Sequence, residues 1–149
     1  MNRVARVLGW AAAACWLASW FLPVIENYPG WAAFYTVLVS PFRREFPTSG
    51  EHAVIQLVSA ATNAVFVVLF VHWLLQRITR PSMFLKLALA CFIANLYWPV
   101  EMLREGERGG LLSGYYAWEG SFALLLAIGV ISVVSARRTS KTPKAGTPA

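Results

Sequence analysis

Few side chains in this 149-residue chain could do chemistry, and their spacing argues against most reactions. His52 and His72 lie twenty residues apart on one apolar run. As a helix, that run separates them by about 30 Å, too far for a shared metal ion. Cys15 and Cys91 fall in the middle of two different apolar runs, where cysteine behaves as a small buried side chain rather than an exposed redox pair. There is no aspartate, no His-Glu-x-x-His helix, no phosphate loop and no paired-cysteine metal pattern. No metal, no other cofactor and no enzymatic activity are therefore expected. Glu119 is the acid nearest the interior of an apolar run, about one turn inside its start. Ionisable groups there are costly and often functional. At such a shallow depth, contact with headgroup water or pairing with Arg104 or His52 is the simpler expectation, and a ligand or proton role is the alternative.

A second constellation is aromatic and acidic. Glu26, Tyr28 and Trp31 should approach Trp98 and Glu101, together with Tyr115, Tyr116, Trp118 and Glu119. Aromatic walls carrying a few carboxylates suit a cationic or amphiphilic ligand, a lipid headgroup or a partner loop. An interfacial aromatic belt would put most of the same residues in the same place. From this set Trp31, Trp98, Glu101, Tyr116 and Glu119 are the candidate ligand-binding residues. Asn63 and Asn95 lie deeper, near Ser59 and Thr62. An amide in hydrocarbon seeks a partner, so both are expected to make interhelical hydrogen bonds of about 0.6–2 kcal/mol.

The elements that must position these residues are four apolar runs. The expected spans are residues 4–22, 52–76, 83–103 and 115–135, each long enough for a hydrocarbon layer of about 30 Å. Backbone polar groups must pair within each span, so the fold class is all-α: an integral membrane four-helix bundle. Trp20, Trp73, Tyr97, Trp98, Tyr115, Tyr116 and Trp118 collect near the span ends, where amphipathic rings favour the interface. His72, Trp73 and Gln76 read as an interfacial polar cluster. Pro23 stops the first span, and Pro81 opens the third after a tight turn, which makes the second and third spans antiparallel neighbours. The long connection after Pro23 contains Trp31–Val39, too short to span and too apolar for water; a short interfacial or re-entrant helix is expected there. Residues 1–135 form the transmembrane domain, and the basic stretch 136–149 reads as a disordered tail. The first run carries no convincing cleavage site, so it is expected to remain as a span.

Charge sets the orientation. With alternating sides, one side receives nine basic residues and no acid, and the other receives four basic residues and all seven glutamates. The positive-inside bias then places both termini in the cytoplasm of a plasma membrane protein, of the bacterial inner-membrane type. A 58% hydrophobic chain with only 13% charged residues exceeds what a soluble domain of this size can hide. The net charge of +6 lies on the flanks that meet anionic lipid, so nucleic acid is not an expected partner. Small residues at four-residue spacing (Ala14 and Ala18, Ala60 and Ala64, Ala123 and Ala127) allow close helix contact within the bundle or with a partner.

Three short segments occur together: Phe21-Leu22-Pro23-Val24, Gly30-Trp31-Ala32-Ala33-Phe34 and Gly114-Tyr115-Tyr116-Ala117-Trp118. In combination they resemble uncharacterised small bacterial four-span inner membrane proteins, in which the first helix ends in Leu-Pro, a Gly-Trp segment follows and the last helix opens with Tyr-x-x-Trp. The resemblance implies an ordered outer loop and carries no activity. The expected role is a non-enzymatic accessory or assembly partner of other membrane components, working with the lipid bilayer and with a membrane protein partner or a second copy. The alternative is a small-molecule or lipid-binding transport component with an outer-leaflet aromatic-acidic site.

Overall fold

The computed structural model describes the backbone of residues 3–25, 28–39, 50–76, 78–105 and 111–141, and their side chains except those of 50–52, 105 and 139–141. In chain order the elements are α1 (Arg3–Phe21), β1 (Pro23–Ile25), β2 (Tyr28–Pro29), α2 (Gly30–Val39), α3 (Gly50–Leu74), α4 (Pro81–Asn95), α5 (Tyr97–Glu105) and α6 (Ser113–Lys141). The chain is predominantly helical. Four stretches, Arg3–Phe21, Ala53–Leu74, Pro81–Arg104 and Ser113–Arg138, are long and apolar enough to cross a membrane. Their 19 to 26 residues correspond to about 28–39 Å of helix.

α6 is the central helix, packed along α1 on one side and α4 on the other, with α3 beside α4. On α1 the buried positions are Ala5, Gly9, Ala12 and Ser19, a three-four spacing that keeps small residues on one face. Of the three small-residue pairs singled out in the sequence, Ala14, Ala18, Ala64 and Ala123 are exposed, Ala127 is half-buried and Ala60 is buried. The core joins Phe66, Leu69 and Trp73 of α3 to Phe84, Ala88 and Cys91 of α4 and to Phe122, Leu125 and Ile128 of α6. Trp16 stacks on Phe66 with ring centroids 5.2 Å apart, and Phe122 meets Phe66 edge-on at 5.6 Å. The outward faces are apolar too: Val7, Leu17, Val54, Val68 and Ile93 are all exposed.

Each helix end has a local cause. Leu22 N–H closes α1 on the Ala18 carbonyl at 3.0 Å before Pro23 removes the next donor. α3 stops where Gln76 takes a left-handed φ of 54°, a common way to end a helix. Pro81 then sits in the first turn of α4, where its missing N–H costs nothing.

Three features depart from the expected architecture. The third span, expected as one helix over 83–103, is broken at Leu96 into α4 and α5. Pro99 is the cause: it has no N–H to offer the Asn95 carbonyl four residues earlier. Tyr115 Oη from α6 donates to that freed carbonyl at 2.7 Å instead. The connection after α1 contains a small ribbon, with β1 antiparallel to β2 and Ile25 bridged to Leu111. α2 matches the expected short helix, starting one residue earlier at Gly30. Finally, α6 runs as helix to Lys141, past Ser135; residues 142–149 of the expected tail lie outside the described residues.

Candidate functional site

The three segments that carried the resemblance meet at one corner of the bundle. A Cβ on Gly30 would collide with the Ser19 carbonyl oxygen, so glycine lets the start of α2 fold back against the end of α1. Gly30 N–H donates to the Leu22 carbonyl at 3.0 Å. A Cβ on Gly114 would sit 2.6 Å from the Leu22 oxygen and 2.8 Å from the Pro23 oxygen, so a second glycine brings the start of α6 against the same turn. Leu112 N–H donates to the Val24 carbonyl at 2.8 Å and ties the two connections together. The result is a cap of ribbon and α2 over one end of the bundle.

Beneath the cap is a cavity of about 120 Å³, walled by Trp20 of α1, Ala33, Phe34 and Val37 of α2, Ser59, Ala60 and Asn63 of α3, Trp98 of α5, and Tyr115 and Trp118 of α6. Its walls are almost wholly apolar although Trp20, Ser59, Asn63, Trp98, Tyr115 and Trp118 carry polar hydrogens. Part of the reason lies in where the Trp98, Tyr115 and Trp118 hydrogens go. Asn63 Oδ1 accepts from Trp16 Nε1 at 3.0 Å and from Trp118 Nε1 at 3.1 Å, pinning α1, α3 and α6 through one amide. Trp98 Nε1 donates to Ser59 Oγ at 2.8 Å, and Tyr115 Oη to the Asn95 carbonyl. With these donors engaged, the cavity is offered ring faces and methyl groups.

Behind the Tyr115 wall sits a polar group of a different kind. Glu119 is 8% exposed and Asn95 is fully buried. The Asn95 side chain is directed at the Glu119 carboxyl, yet Asn95 Nδ2 and both Glu119 oxygens lack a hydrogen-bond partner. Asn95 Oδ1 is approached at 3.4 Å by the Thr62 hydroxyl, which also donates to the Ser59 carbonyl at 2.6 Å. Of the expected partners of Glu119, Arg104 pairs instead with Glu101 on its own helix at 3.7 Å, and the His52 side chain lies outside the described residues. Because α6 begins at Ser113, two residues before the expected start, Glu119 is also deeper than its sequence position suggested.

The structure distributes the candidate ligand-binding residues rather than gathering them. Trp98 lines the cavity. Trp31 and Tyr116 are 56% and 62% exposed, Glu101 is engaged on α5, and Glu119 stands behind the wall. Glu26 lies outside the described residues. Of the two amides, Asn63 borders the cavity and Asn95 faces Glu119. Trp73, read from the sequence as part of an interfacial cluster with His72 and Gln76, is 1% exposed and donates to the Ala5 carbonyl at 3.1 Å; its neighbours His72 and Gln76 are exposed. Sequence reasoning put Trp20 and Phe34 near this end of the bundle without counting them among the candidate ligand-binding residues, and it missed Trp16. It also missed the helix break, whose signal, Pro99 within an apolar run, is visible in the chain. Both cysteines are free, and among the described residues no group of histidine, cysteine or glutamate side chains could hold a metal.

Comparison with protein-family models, with curated proteins and with solved structures finds no match to this chain.

Proposed function

We propose that this chain is a non-enzymatic multi-pass protein of the plasma membrane, of the bacterial inner-membrane type, that holds the hydrocarbon part of a lipid-like molecule in the capped cavity. Both termini are cytoplasmic in this reading, which places the cap at the outer leaflet. The observation that carries the reading is the aromatic cavity beneath the cap, where the Trp98 and Trp118 indoles and the Tyr115 phenol already donate to the protein itself. A polar or cationic ligand would find few free donors or acceptors there. A compact apolar group finds ring faces, in a volume comparable to the apolar cavity of roughly 150 Å³ that admits benzene. Placement in a bilayer is supported by four sufficiently long apolar helices with apolar outward faces, and the orientation by the charge bias.

The test is native mass spectrometry of the protein extracted with its surrounding bilayer by a detergent-free polymer. A retained apolar molecule is expected at one copy per chain and is expected to disappear in Ala33→Phe, which fills the cavity from α2. Equal retention by both proteins would remove the cavity from consideration. A second reading, an assembly partner of other membrane components, is favoured by one observation: Ala14, Ala18, Ala64 and Ala123 face outward, where a neighbouring helix could approach closely. A stoichiometric second polypeptide in the same spectra, lost when Ala64 or Ala123 is made bulky, would favour it.

A further inference from the structure

The cavity leaves one buried group unused. Glu119 projects from α6 toward α4, where Asn95 and, one turn earlier, Cys91 face it. The other ionisable neighbour is Tyr115 on its own helix; α3 contributes the non-ionisable Thr62 through Asn95. No lysine, arginine or histidine among the described residues stands against the carboxyl. Carboxyl groups held this way inside apolar helix bundles are costly and are commonly functional.

The polar groups around Glu119 are arranged to serve two protonation states. Thr62 has a single hydroxyl hydrogen and two acceptors in reach, the Ser59 carbonyl at 2.6 Å and Asn95 Oδ1 at 3.4 Å. An amide has a donor and an acceptor end that exchange places on rotation. With Glu119 ionised, Asn95 Nδ2 faces the carboxylate and Oδ1 takes the Thr62 hydrogen. With Glu119 protonated, its O–H donates to Asn95 Oδ1, Nδ2 donates to Thr62 Oγ1, and the Thr62 hydrogen goes to the Ser59 carbonyl. Each arrangement gives a partner to Asn95 Nδ2 and to one Glu119 oxygen, groups that are orphaned when the side chains stand as they do here. The Asn95 carbonyl, freed by Pro99 and held by Tyr115, fixes the backbone from which the amide turns.

We propose that Glu119 is a reversible proton-binding site, with Asn95 as the positioning residue whose amide rotates to match each state and Thr62 as the relay that ends it. A proton taken from water sits on a Glu119 carboxyl oxygen and returns to water by the same route, with no other bond made or broken. The residues involved come from α6, α4 and α3, and Ser59, at the end of the relay, also accepts the Trp98 indole hydrogen.

The test uses the full chain in bilayer and a hydrophobic carbodiimide, dicyclohexylcarbodiimide, which adds to a protonated carboxyl to give a stable acylurea with no leaving group. Peptide mass mapping is expected to find the adduct on Glu119, falling about tenfold for each pH unit above the midpoint of the titration. No adduct, a yield independent of pH, or protection by sodium at constant pH would overturn the proposal. Infrared spectra recorded as pH differences check the partner. They are expected to show a carboxyl carbonyl band that Glu119→Gln removes and that Asn95→Ala moves to higher frequency. An unmoved band in Asn95→Ala would overturn the role of the amide.

Discussion

At the end of the bundle that carries the α3–α4 turn, Trp73 lies against Gly9, occupying the space a Cβ would need there, and its indole donates to the Ala5 carbonyl. At the capped end the two glycines do something else. The space beside Gly30 and Gly114 is taken by backbone carbonyls of Ser19, Leu22 and Pro23, so Trp20, Phe34, Trp98 and Trp118 surround a void that they do not fill. The same residue types give a closed core in one region and a walled cavity in the other. What differs is whether a glycine admits a ring or a strand of main chain. Close packing of the first kind is the default of protein interiors. A void in the second region persists because the cap is held by backbone hydrogen bonds to the turn beneath it.

The comparison breaks first in the core that joins the two ends. Phe66→Ala removes a ring stacked on Trp16 and packed on Phe122, and is expected to cost about 3–5 kcal/mol, read as loss of the folded protein in a thermal scan of the lipid-embedded chain. Gly9→Val forces the Trp73 ring aside and is expected to cost about 1–3 kcal/mol. At the capped end, Asn63→Leu leaves the Trp16 and Trp118 indole hydrogens without their acceptor. Its cost is expected to be about 1–3 kcal/mol, with a shift in tryptophan emission that Phe66→Ala does not reproduce at matched folded fraction. Ala33→Phe sharpens the contrast, because filling a void is expected to change stability by less than about 1 kcal/mol while removing the retained ligand. A large destabilisation there would mean that the space is smaller than its walls suggest. The smallest effect belongs to Arg104→Ala, which removes an exposed guanidinium paired with Glu101 and is expected to change stability by less than about 0.5 kcal/mol.

The orientation rests on charge alone and has its own measurement. A thiol placed at Glu107 is expected to react with an impermeant reagent added from outside, and one placed at Lys141 is not, both in a background with Cys15 and Cys91 replaced. The reverse pattern would move the cap to the cytoplasmic side.

The sequence by itself determined the number of long apolar helices, their approximate limits, the short helix after Pro23 and the tight turn before Pro81. These are local properties: run length, hydropathy and proline position decide them without reference to any other part of the chain. It also marked Asn63, Asn95 and Glu119 as polar groups out of place. Only the tertiary structure decided what each of them meets. Asn63 gathers two indoles from helices distant in sequence, and Asn95 and Glu119 face each other unpaired, because helix rotation about its own axis is set by packing against α6. The same rotation turned Ala14 and Ala18 outward while Ala12 went inward, and it separated Trp98 from Trp31 and Tyr116. A periodicity names the residues that share a face, but the face that becomes the inside is chosen by the neighbours that the fold supplies.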